Sequence, residues 1–319
     1  MKSEVSSMKA KWKQLVVFHG LCTFAMAMFN RLETKKAETK NLLEQKGRFY
    51  KFRNTNIYYS VRGNGSPVLL IHDLLPQSSG YEWSYVRRKL EKDHTVYVVD
   101  LPGCGRSEKP WITYTSYYYV EFLNSFIENV IREKTCVVAS GQSAFFSILC
   151  DRMNPSLMEK LILVNPERLS VSEKMPDTLK KVIKFMIQLP IFGRFIYNIE
   201  MGENNLSNLF RQIYFEKKGS VDQRMVAAYY EAAHKGMGGG RHLLASLRGG
   251  YLGANVRNAL SDCSNLCMIT SRERKNSYRI QKEYEKAAKN IETTQISGSR
   301  ILPQLETPNR LAEVIKIFL

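Results

Sequence analysis

The segment Ser140-Gly141-Gln142-Ser143 is the first place to look for chemistry. It is a sharp turn between an apolar run, Thr135–Ala139, and a helical pattern, Ala144–Met153. A hydroxyl carried on such a turn attacks an acyl carbon when a histidine takes its proton and a carboxylate holds that histidine. Of the five histidines, His72 ends an apolar run and is expected to pack under loops. His94 reads as part of a turn before a strand, and His234 and His242 fall in a helical region. No histidine follows His242. Cys104 sits in a glycine turn, and the pair Cys263/Cys267 has no histidine near it, so neither a cysteine nucleophile nor a metal site is implied. Gly103-x-Gly105 and Gly238-Gly239-Gly240 fit neither a dinucleotide fingerprint nor a phosphate loop, so no cofactor is implied. The basic run Arg272, Arg274, Lys275 and Arg279 beside Tyr278 is one loop and reads as a solvated face, with no nucleic-acid partner.

Positioning such a turn takes a sheet, and the hydropathy pattern supplies one. Phe49–Tyr59 reads as two strands. Pro67–Ile71, His94–Val99, Thr135–Ala139 and Leu161–Asn165 read as buried strands, and helical patterns at Trp83–Leu90, Tyr117–Ile131 and Ala144–Met153 follow three of them. Alternating units of this kind predict a mostly parallel sheet flanked by helices. Residues 170–255 change character and read as helical, rich in aromatics, before strand-like runs return at Cys267–Thr270 and Thr294–Ile296. The organisation expected is a lead at 1–48, a first core part at 49–169, a helical insertion at 170–255 and a second core part at 256–319.

Three motifs give this pattern a family likeness. Leu69-Leu70-Ile71-His72-Asp73, the turn Asp100-Leu101-Pro102-Gly103-Cys104-Gly105-Arg106-Ser107-Glu108-Lys109-Pro110, and Leu302-Pro303-Gln304-Leu305-Glu306 together resemble the α/β-hydrolase fold with an inserted all-helical cap. The resemblance runs from about Phe49 to the C-terminus. It implies a Ser–His–acid triad, no cofactor, and a nucleophile in a G-x-S-x-G turn. Aligned through the helix after the turn, Ala139–Ser143 puts Gly141 at the nucleophile position. Sliding by two puts Ser143 there, with Phe145 where a small residue belongs. The acid position holds Arg274, with Glu273 one step away, and the histidine position holds Ile301. Asp73 stands where the family carries glycine, and His72, Asp73, Gln142 and Ser143 are expected to line the pocket.

The lead adds a second theme. The whole chain has a formal net charge of +17 at pH 7, and ten Lys/Arg against four Asp/Glu lie in residues 1–48. Lys2, Lys9, Lys11 and Lys13 precede the uncharged segment 15–29, about 22 Å long as a helix against roughly 30 Å of hydrocarbon. A single-pass anchor is the first reading, a cleaved signal and an interfacial helix the others, and the leading lysines favour a body on the outer side. In the insertion, Phe185–Tyr197 is dense in apolar residues, which suits a packed cap, a lipophilic pocket or a surface at a membrane interface. The function expected is a membrane-associated pseudoenzyme binding a lipophilic small molecule or a protein partner. The alternatives are an active esterase- or lipase-like serine hydrolase using Ser143 with an unconventional base, and a pure interaction scaffold.

Overall fold

A computed structural model of the 319-residue chain describes residues 2–43 and 46–319. Eight strands form one sheet: β1 (Arg48–Phe52), β2 (Thr55–Arg62), β3 (Pro67–Ile71), β4 (Thr95–Val99), β5 (Thr135–Ser140), β6 (Met158–Val164), β7 (Leu266–Ser271) and β8 (Glu292–Ile296). Their order across the sheet is β1-β2-β4-β3-β5-β6-β7-β8. β2 runs antiparallel to its neighbours β1 and β4, and the pairings from β4 through β8 are parallel.

The central strands are apolar on both faces, as strands covered by helices on both sides must be. Side-chain alternation divides them into two cores. Leu69, Ile71, Val137, Ala139, Leu161 and Leu163 face one way, with Phe122, Phe126 and Phe146 from α3 (Ser116–Phe126) and α4 (Ser143–Met153). Val68, Leu70, Val138, Ile162 and Ile269 face the other, against Trp83 and the helices α2 (Ser84–Leu90) and α14 (Pro308–Phe318).

Between β6 and β7 the chain is helical: α5 (Leu169–Ser172), α6 (Thr178–Gln188), α7 (Phe192–Glu200), α8 (Glu203–Leu209), α9 (Gln223–His234), α10 (Gly240–Arg248) and α11 (Val256–Leu260). The helices α12 (Ser277–Ala287) and α13 (Pro303–Glu306) complete the set.

The lead differs from the short helix expected at 15–29. It is one helix, α1 (Lys2–Glu38), because the flanking residues are mostly good helix formers and no proline interrupts them. Its part Lys11–Glu38, with mean hydropathy 1.4 over its most apolar stretch, is long and apolar enough to cross a membrane. The end of α1 is docked on the cap: Phe29 meets Phe195 edge-on at 5.4 Å, and Asn198 donates to Asn30 Oδ1 at 2.8 Å. Asn30 in turn donates to Ile191 O at 3.0 Å.

Sheet register fixes which loops meet. Chain direction diverges at β3, which is followed by β4 on one side and flanked by β5 on the other. Ligand clefts of parallel sheets open at the carboxyl ends of strands at such a point. Ile71 pairs with Ala139, so two residues further on Asp73 comes to face Gly141.

Candidate active site

Gly141 is the apex of the turn from β5 into α4, with φ +59°. A left-handed residue there is what a strand-to-helix elbow requires, and glycine adopts it without strain. What stands over Gly141 is Asp73: a Cβ added to Gly141 would lie 2.3 Å from Asp73 Cγ. The carboxyl group thus occupies the space an elbow side chain would need. It also takes the elbow's hydrogen bond, since Gln142 N donates to Asp73 Oδ1 at 2.8 Å. In an acyl-transfer site, the amide following the nucleophile holds the developing oxyanion. Here that donor already has an internal acceptor.

Asp73 is only 7% exposed, and no arginine or lysine bonds it among the described residues. Burial pushes its carboxyl up to about 8, and the Glu82 carboxylate nearby adds to the rise, against the amides of Gln142 and Leu74. Glu82 is itself fully buried and held by three donors. Tyr229 Oη lies at 2.9 Å, Gln304 Nε2 at 3.0 Å and Asp73 N at 3.3 Å. Gln304 Nε2 also reaches Ser140 Oγ at 3.2 Å. The floor beneath the elbow is therefore a buried polar network drawn from β5, α9, α13 and the loop after β3.

Ser143 lies in the first turn of α4, fully buried, and its Oγ donates to His72 O at 2.5 Å. The hydroxyl points back under β3 rather than out of the elbow. Both nitrogens of His72 are engaged by backbone: Nε2 accepts from Leu101 N at 3.0 Å, so Nδ1 carries the proton given to Asp73 O at 2.7 Å. Burial lowers the pKa of His72 and keeps the ring neutral. His234 bonds Tyr230 O at 2.9 Å, and His242 stacks on Trp111 at 5.4 Å, with burial lowering its pKa to about 4. Among the described residues, no histidine nitrogen bonds Ser143.

Arg274 and Ile301 sit in neighbouring loops. Arg274 is buried, donating to Pro166 O at 2.7 Å and to Glu167 Oε1 at 3.0 Å. Glu273 lies beside it and has one buried carboxyl oxygen without a partner among the described residues. Ile301 is tied by its backbone, with its amide on Tyr214 O at 2.9 Å and its carbonyl accepting from Asn165 Nδ2 at 3.1 Å. Asn165, left-handed at the end of β6, also donates to Arg300 O and Ser271 Oγ, fastening the loop before α13 to the sheet.

A cavity of about 250 Å³ lies between this floor and the cap. Leu75, Gln77, Gln142 and Phe145 line its sheet side, and Val171, Met201, Leu244 and Leu247 its cap side, with Lys174 and Arg248 at the rim. Of the four residues expected to line the pocket, Gln142 does so, while His72, Asp73 and Ser143 are buried below it. Gln77, also buried, donates to Tyr214 Oη at 3.2 Å and leaves its Oε1 unpartnered among the described residues. Glu82, Asn165, Tyr229 and Gln304 were not anticipated from sequence; the only hint was Gln304 inside the Leu302–Glu306 motif. Among the described residues, no group of three or more His, Cys, Asp or Glu could hold a metal ion.

Residues 68–314 match the model of the family described as the alpha/beta hydrolase family. An uncharacterized protein of Mycobacterium tuberculosis is 28% identical over 117 residues, 36% of this chain and 34% of that protein. The chain spans about a third of the length of the curated relatives it matches, 34% for that protein. Among solved structures, a serine hydrolase involved in carbazole degradation superposes with TM-score 0.70 at 17% identity, over 85% of this chain and 97% of that one. A membrane phospholipase A, a bacterial virulence factor, superposes with TM-score 0.67 at 16% identity, over 100% of this chain and 98% of that one. At these identities the two structures speak to fold alone.

Proposed function

Because the chain belongs to the alpha/beta hydrolase family yet carries no side chain at its elbow, we propose that it is a membrane-anchored pseudoenzyme that binds a lipophilic small molecule. One observation carries this reading: the Asp73 carboxyl group fills the space over Gly141 and takes the Gln142 amide. A tetrahedral intermediate needs both that space and that donor. The arrangement of Ser143 argues against the serine-hydrolase alternative, since its hydroxyl is bonded to a carbonyl and no histidine stands ready as base.

Binding has a place to occur. The cavity is lined largely by apolar side chains, with the amides of Gln77 and Gln142 at its base and Lys174 and the Glu200–Arg248 ion pair at its rim. That composition suits an apolar body with one polar end. The anchor is α1, whose apolar stretch is exposed on the protein: Leu15, Phe18, Leu21 and Phe24 are each at least 60% open. Exposure of this kind is costly in water and expected in lipid. Lys2, Lys9, Lys11 and Lys13, against Glu4 alone, favour an inside N-terminus and a body outside.

The test is labelling of the full-length protein with a serine-reactive fluorophosphonate, beside Ser143→Ala. The expected outcome is no labelling of either chain. Labelling of the native protein that vanishes in Ser143→Ala would overturn the pseudoenzyme reading. Binding of a fluorescent acyl probe, lost in the cavity-filling variant Leu244→Trp, checks the ligand half.

A further inference from the structure

The cap helices α6 and α7 break a rule that the rest of the fold obeys. An amphipathic helix on a globular domain turns its apolar stripe to the core. α6 is amphipathic, but it buries only Ile187. Leu179, Val182 and Phe185 are 69%, 53% and 62% exposed. α7 meets α6 at 93° and leaves Phe192, Ile196 and Ile199 open in the same way. A contiguous apolar surface on two adjoining helices has a partner.

Three observations say which partner. First, α7 is the helix on which α1 docks, through Phe29–Phe195 and the Asn30–Asn198 bond. From Leu15 to Met28, just before that point, α1 is largely exposed and apolar. The open face of α7 therefore lies where the anchor leaves the body. Second, α6 carries Lys180, Lys181 and Lys184 with no acid of its own, and of these Lys180 pairs with Asp177 at the helix N-terminus. Lysines interleaved with apolar residues on a short helix match an anionic lipid surface. Third, the cavity wall runs onto this face. Lys174 and Gly250 line the cavity, and Gly250 lies against Met175 and Lys180 at the start of α6, with a built Cβ 3.0 Å from Met175 O.

We propose that α6 and α7 lie in the surface of an anionic bilayer beside α1, as a second membrane contact that turns the rim of the cavity toward lipid. The inference takes the placement of α1 in a membrane from the function proposed above. It adds that the body is held cap-down and that the ligand enters from the bilayer. A tethered domain on a free linker would make no such contact.

The experiment uses the full-length protein reconstituted in vesicles of phosphatidylglycerol and acyl-chain-brominated phosphatidylcholine. Tryptophan is introduced as Phe185→Trp on α6 or, for control, as Ile317→Trp on α14 against the other side of the sheet. Emission of the native chain is subtracted. The expected result is strong bromine quenching of the tryptophan added at position 185 and none at 317. Changing Lys181→Glu and Lys184→Glu together weakens the quenching at low salt. No quenching at 185 while native emission, which includes Trp12 of α1, is quenched overturns this inference and leaves the anchor standing. Loss of both signals overturns the anchor as well. Phe185→Trp emission shielded from acrylamide in a detergent-stable dimer, without lipid quenching, assigns the face to a second copy and overturns the bilayer contact.

Discussion

Two buried aspartates end adjacent parallel strands, and they live in opposite electrostatic worlds. Asp100, after β4, receives Gly80 N, Arg106 N and the Arg106 guanidinium, each at 2.7 Å. Burial alone would raise its pKa, but the charge and hydrogen bonds of Arg106 outweigh it and hold the carboxyl down at about 2. Asp73, after β3, has amides but, among the described residues, no cation, and burial beside Glu82 drives it up to about 8. The first is a finished structural joint. Gly105, at φ +50°, leaves no room for a Cβ against Asp100 Oδ2, and Ser107 Oγ bridges Asp100 O to Tyr58 N. The second is a substitute, a carboxyl placed where the family resemblance expects glycine, facing a glycine where it expects a nucleophile. A buried acid can be kept either by a partner charge or by a proton, and this protein uses one of each.

Breaking the first joint has the largest expected effect. Asp100→Ala removes the shared acceptor of the Gly80 amide, the Arg106 amide and the Arg106 guanidinium, and should cost about 3–5 kcal/mol, read from urea unfolding. Filling the second site comes next. Gly141→Ser places a side chain at φ +59° and 2.3 Å from Asp73 Cγ, for a loss of about 2–3 kcal/mol. Adding Asp73→Gly should recover part of that loss, giving a non-additive double-mutant cycle. Additive losses would show that the two residues do not contend for one space.

The smallest effect, but the one that most sharpens the contrast, is the dependence on pH. Between roughly pH 4 and 8 the unfolded Asp73 is ionised and the folded one keeps its proton, so the native state binds more protons and stability falls as pH rises. Asp73→Asn should flatten this slope, by at most about 1.4 kcal/mol per pH unit. Asp100 has the opposite sign. Its contribution is complete above about pH 4 and is lost as pH falls toward 2. Unfolding titrations of the native chain and Asp73→Asn in parallel check both limbs.

What could be read in advance follows from how local each feature is. The Asp100 turn is spelled out within eleven consecutive residues, so its glycines, serine and aspartate could be recognised together. The strands and the helical stretch between β6 and β7 were legible for a similar reason, each being a run of one hydropathy period. The elbow was not, and two registers stayed open, because its environment comes from pairing Ile71 with Ala139 across 68 positions of sequence. The floor residues Glu82, Tyr229 and Gln304 come from three separate elements, and no spacing rule joins them. The lead reads as short in sequence because its apolar stretch ends at charged flanks, yet those flanks are helical too.

Helix α9 gives the arrangement a mechanical property. Its residues Tyr229, Tyr230 and Glu231 are consecutive, and each grips a different part of the molecule. Tyr229 holds Glu82 beneath the elbow, Tyr230 holds Glu33 of α1, and Glu231 accepts the amides of Leu42 and Leu43. Lys36 and Lys40 pair with Glu203 of α8 as well, so several contacts join the end of the leading helix to the cap and the pocket floor. A single turn of α9 is the bracket that fastens the end of the leading helix and the pocket floor together.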